Sequence, residues 1–149
     1  MATVSSVKQL DGRDVELYWD IVKETLVKIF KKDPRCVDDL RNEIACAPNF
    51  QQLLHYHNEP LRIAEILAGV PTHAPLPLIG RYLELEEQVF EGRIVLFLQH
   101  SKKSLKAASL VRKVFGRGTQ EVGKQALKRL VDRGTVSVGL DRKIKLAKT

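Results

Sequence analysis

A chain of 149 residues, 44% apolar and 29% charged, is long enough to bury a core without covalent staples and has the composition of a folded protein. Two cysteines do not make a disulfide scaffold, and no apolar run approaches the length of a membrane span. The opening MATVSSVKQLDGRD lacks the apolar stretch of a secretory signal, so the expected location is the cytoplasm, or the nucleus in a eukaryote.

Asp11 can cap a first helix, running from about Gly12 to Lys32, in which Val15, Tyr18, Ile21, Val22, Leu26, Ile29 and Phe30 recur at helical spacing. Asp33-Pro34 is a restart signal and opens a second helix over about 34–46, burying Val37, Leu40 and Ile44. Pro48-Asn49 restarts the chain again, with Phe50, Leu53, Leu54 and His57 spaced as a short helix. Asn58-Glu59-Pro60 opens a fourth helix carrying Leu61, Ile63, Ala64 and Leu67. Gly69 can close it in the left-handed conformation, and Pro71 prevents continuation. Residues 71–80, PTHAPLPLIG, hold three prolines and are expected as a linker or extended arm.

RYLELEEQVFEGRIVLFLQH fits a buried helix through Leu85, Val89, Phe90, Ile94, Phe97 and Leu98, with RIVLFL alone also compatible with a strand. The acidic run Glu84, Glu86 and Glu87 favours helix. Ser101 or Ser104 is expected to cap a short helix ending near Phe115, with Leu105, Ala108, Val111 and Phe115 inward and Lys106, Arg112 and Lys113 outward. GRG at 116–118 is a turn. Thr119 is the expected N-cap of a last helix, whose inner face is Gly123, Ala126, Leu127, Leu130 and Val131. Gly134 stops it. TVSV, the turn GLDRK and IKLA then form a β-hairpin.

The net charge of +7 is unevenly distributed. Residues 101–149 carry 14 Lys/Arg against three Asp/Glu; residues 1–100 carry 11 against 15. That asymmetry suggests a polyanion-facing half joined to a half with another task; the plainer reading is a solvated basic face that aids solubility. The first helix is apolar over more than one face (15, 18, 19, 21, 22, 26, 27, 29 and 30), with Tyr18, Trp19 and Phe30 as core residues. A face that wide also suits a homodimer formed through the N-terminal helices.

Other features point away from chemistry. His55 and His57 stand at i and i+2, which do not share a helix face, and Cys36 and Cys46 lack C-x-x-C spacing, so no metal site is expected. His73 and His100 have no identifiable partners. GRGTQEVGK has glycines and a lysine as in a phosphate-binding loop, but Gln125 stands where that loop needs Ser or Thr, and no parallel strand precedes it. No nucleophile-base pair or carboxylate dyad can be assigned, so neither an enzyme nor a cofactor is expected.

The segment SLKAASLVRKVFGRGTQEVGKQALKRLVDRG, followed by TVSVGLDRKIKLA, resembles the winged helix-turn-helix superfamily in its paired helices and hairpin, over slightly less than half the chain. The chain is thus expected to be mainly α, with an acidic helical region over 1–70 for dimerisation or partner binding and a Pro-rich linker over 71–80; for 81–149 the resemblance implies a basic winged-helix domain with a C-terminal β-hairpin. It implies duplex DNA as partner, with helix 119–133 in the major groove and hairpin 135–147 as the wing. On that reading Thr119, Gln120, Lys124, Gln125, Lys128 and Arg129 face bases and phosphates, and Arg142, Lys143 and Lys145 lie on the wing. Lys102, Lys103, Lys106, Arg112, Lys113 and Arg117 extend the basic surface. The chemistry agrees, since amide and guanidinium groups match base edges and lysines neutralise phosphates. Glu121 is repelled by phosphate unless it accepts from cytosine N4. The function implied is transcriptional regulation or accessory DNA binding. The alternatives are a non-enzymatic adaptor whose basic winged helix holds an acidic protein partner, and RNA binding.

Overall fold

The computed structural model describes residues 11–56, 58–70 and 76–147. The chain is mainly helical, with a small three-stranded antiparallel sheet near the C-terminus. The elements are α1 (Gly12–Lys28), α2 (Arg35–Ala45), α3 (Asn49–Tyr56), α4 (Pro60–Ala68), α5 (Leu76–His100), β1 (Leu105–Lys106), α6 (Ala107–Val114), α7 (Gln120–Asp132), β2 (Val136–Val138) and β3 (Lys143–Leu146). They form two compact units. The first comprises Val15–Glu86. The second comprises Asp11–Asp14 and the chain from Glu87 onward, so the first turn of α1 belongs to it.

In the first unit, Trp19, Val22 and Leu26 of α1 pack with Val37 of α2 and with Ile63 and Ala64 of α4, all 5% exposed or less. Leu40, Ile44, Tyr18, Phe30 and Tyr56 pack around this cluster. The indole Nε1 of Trp19 donates to the Tyr56 hydroxyl at 2.8 Å, so its one polar atom is satisfied. The His55 ring stacks on Trp19 at 5.2 Å, and burial holds its pKa below the usual imidazole value. The chain leaves α1 earlier than its periodicity predicts. Phe30 N donates to Thr25 O at 3.3 Å and Lys31 turns left-handed at φ 56°, ending the helix at Lys28 rather than Lys32. Gly69 closes α4 at φ 78°, as its position predicts. His57 lies outside the described residues.

The expected linker is partly helix. Leu76–Gly80 form the first turns of α5, and Pro77 sits in the first turn, where a missing N–H is not needed. Residues 71–75 lie outside the described residues. The strand alternative for 93–98 is excluded, since α5 runs unbroken through Gly92 to His100.

In the second unit, Phe90 and Ile94 of α5, Leu110 and Val111 of α6, Phe115, and Ala126, Leu127 and Leu130 of α7 are buried, with Val136 and Ile144 of the sheet. Phe90 and Phe115 stack at 5.3 Å. Gly123 makes room for this pair: a Cβ there would meet the Phe115 ring at 2.3 Å. The hairpin acquires a third strand. Leu105 pairs with Ile144 and Lys106 with Lys143, giving the strand order β1-β3-β2. The helix expected from Ser101 or Ser104 therefore starts at Ala107, because Leu105 and Lys106 spend their backbone on the sheet. Leu110 replaces the exposed Ala108 as an inward residue.

Candidate nucleic-acid interface

The second unit holds 16 Lys/Arg against seven Asp/Glu. Its cations fall into distinct sets. The exposed face of α7 carries Glu121, Lys124, Gln125 and Lys128, which the i, i+3, i+4, i+7 spacing places side by side. Lys124 Nζ reaches Glu121 Oε1 at 3.1 Å. The two side chains are 58% and 83% exposed, so the pair is weak and easily exchanged for a phosphate contact. Lys128 has no ion-pair partner among the described residues.

The hairpin presents a second set. Gly139 N donates to Lys143 O at 3.0 Å, and Arg142 N donates to Gly139 O at 2.9 Å, closing the turn. Asp141 Oδ1 accepts from Lys143 N at 3.1 Å. Arg142 sits at φ 64°, a left-handed conformation that costs a non-glycine residue about 1 kcal/mol. Leu140 beside it is fully exposed. β3 alternates, so Ile144 faces the core while Lys143 and Lys145 face outward, with Lys106 directly opposite Lys143. Like charges paired across strands repel. Lys102 and Lys103 lie in exposed bends before β1, while Arg112 and Lys113 are exposed in the last turn of α6. Of Lys106, Arg112 and Lys113, expected outward on the helix before the turn, only the last two are helical.

Arg129 behaves differently from the expectation. It is half-buried, and its Nε lies 3.4 Å from Oε2 of Glu91, with Glu87 4.0 Å away. Arg133 bonds the other Glu91 oxygen. Glu91 is 6% exposed, and a buried carboxylate needs a cation, so these arginines serve α5 rather than a face of α7. The signal was present in the sequence as two matched i, i+4 pairs, Glu87/Glu91 and Arg129/Arg133.

Thr119 stands at the N-cap position, but its side chain makes no cap bond. Its hydroxyl donates to Asp14 Oδ1, and Asp14 Oδ2 accepts from Gly118 N at 3.0 Å. Arg13 donates to the carbonyls of Arg112 and Lys113 at the end of α6, where a cation complements the helix dipole. Asp11 accepts from Arg13 N at 2.9 Å, which caps α1, and its bonds to the Arg13 guanidinium hold its pKa below the usual carboxylate range. Asp11, Arg13 and Asp14 therefore hold the α6–α7 turn, including the segment of the exposed Arg117. They are about 100 residues away in sequence, and no local pattern reveals them. Asp14 also puts a negative charge at the N-terminus of α7, where a phosphate would otherwise be favoured. Thr119 and the half-buried Gln120 lie at that acidic end, while the exposed Lys124, Gln125 and Lys128 lie farther along the helix.

Among the described residues, no three His, Cys, Asp or Glu side chains are grouped to hold a metal ion, and no helix is long and apolar enough to cross a membrane. No protein-family model, curated protein or solved structure matches this chain.

Proposed function

We propose that the second unit is a winged helix that binds duplex DNA, with α7 in the major groove and the β2–β3 hairpin as the wing, in a transcriptional regulator or accessory DNA-binding factor. The observation that carries this reading is the exposed row Lys124, Gln125 and Lys128 on a helix that the sheet and α6 hold from behind. The element order supports it: helix, short strand, two helices and a hairpin, with β3 central in the sheet. Gln125 can pair bidentately with adenine, and the two lysines can each neutralise a phosphate. Arg142 is exposed in a strained turn, with no ion-pair partner among the described residues, and strain of this kind clusters at functional positions.

The test is a fluorescence-anisotropy titration of random-sequence duplex DNA between 50 and 200 mM salt. Contact with four to six phosphates gives a log–log slope of about −4 to −5, so affinity falls roughly 250- to 1000-fold over that range. A slope near zero, or equal binding to polyglutamate, contradicts the reading. The outward lysines Lys106, Lys143 and Lys145 lie on the sheet face away from its buried residues, so they serve a flanking backbone rather than the groove that α7 enters.

A further inference from the structure

Beside the cationic face of α7 lies an open groove of about 420 Å³, formed entirely within the second unit by α6, α7 and the sheet. Its floor is Val111, Leu127 and Val131, and Val138 and Ile144 close the sheet side. Lys124 and Lys128 stand on one edge. The wall from α6 is Ala107 and Ala108, both exposed and both small, which leaves room for side chains of a visitor. Val138 is 50% exposed although it points to the same side of the sheet as the buried Val136.

We propose that this groove docks an acidic amphipathic helix from a partner protein, and that docking and DNA binding exclude each other. The lining carries no hydroxyl or amide that would orient a small ligand, and its only polar groups are the two ammonium ions. Hydrocarbon below and cations on one edge match a helix with apolar anchors at i, i+3, i+4 and i+7 and carboxylates alongside. Lys124 and Lys128 are one turn apart, so acidic residues at i and i+4 of the visitor meet both. Phosphate and bases satisfy the lysines but leave the apolar floor open to water. The groove therefore suits a second occupant that uses the same cations. The docking stands without the DNA reading; only the exclusivity rests on it.

The test uses the full chain and a fluorescein-labelled 20-residue peptide with leucines at that spacing and glutamates elsewhere. Controls are a scrambled peptide of the same composition and dodecanoate. The designed peptide is expected to bind at least tenfold more tightly than the scramble and to be released by duplex DNA. Ala108→Trp fills the groove and is expected to weaken peptide binding at least tenfold while changing duplex affinity less than twofold. Ala107→Trp, on the other exposed alanine of the α6 wall, provides the same contrast should the first tryptophan variant misfold by circular dichroism. Lys124→Ala with Lys128→Ala is expected to weaken both ligands. Equal binding of scramble and designed peptide, tighter binding of dodecanoate, or unchanged peptide affinity in both groove variants overturns the docking. A chain that binds peptide but no duplex upholds the groove and removes the DNA reading. Simultaneous binding of both removes the exclusivity.

Discussion

Arg142 links the stability of the hairpin to its proposed contact with DNA, and two substitutions separate the terms. At φ 64° any residue with a Cβ is strained by about 1 kcal/mol, and glycine is not. Arg142→Ala removes the guanidinium and keeps the strain. Arg142→Gly removes both, although the freer unfolded chain gives back some of the gain. The glycine variant should therefore be more stable than the alanine variant by about 0.5–1 kcal/mol, or roughly 1–4 °C in Tm for a chain of this size. Both should lose the same phosphate contact, making the salt slope of duplex binding shallower by about one. Thermal unfolding followed by circular dichroism, with anisotropy titrations on the same samples, reads both quantities. Equal stability of the two variants would refute the strained turn. An unchanged salt slope in both would take Arg142 out of the interface.

Two glycines in helices should respond oppositely to alanine. Gly92→Ala meets nothing within 4 Å and should stabilise by about 0.5–1 kcal/mol, whereas Gly123→Ala drives a Cβ into the buried Phe115 ring and should destabilise by about 1–2 kcal/mol, as urea unfolding would measure. Asp14→Ala removes both acceptors from the α6–α7 turn and should cost about 1–2 kcal/mol, with faster amide exchange at Gly118. His55 has a folded pKa below its unfolded one, so its contribution is complete above about pH 6.5 and is lost as pH falls toward the lower folded value. The midpoint of the first unit's unfolding should drop between pH 7.5 and 5.5, and His55→Phe should flatten that drop.

The helices of the first unit were legible because proline and glycine punctuate them: Asp33-Pro34, Glu59-Pro60 and Gly69 each mark a boundary that the structure keeps. The same residue misled at 71–80, where Pro77 reads as a linker but fits the first turn of α5. Two features had no local signature. Leu105 and Lys106 become a strand only through β3, nearly 40 residues downstream. Asp11, Arg13 and Asp14 join the basic unit through bonds to residues about 100 positions away, which no window of sequence contains. At the candidate site, charge and spacing identified the face of α7, since Lys124, Gln125 and Lys128 are exposed together. They did not separate those cations from Arg129, because the buried partner Glu91 lies on another helix.

The most direct measurement of the central claim is the salt dependence of duplex binding for Lys124→Ala with Lys128→Ala beside the unaltered chain. Both lysines are exposed, so the fold should hold, with unfolding midpoints within about 2 °C. Loss of two phosphate contacts should weaken binding at least tenfold near 0.1 M salt and make the slope shallower by about two. An identical slope and affinity in the two proteins would mean that α7 does not face the double helix.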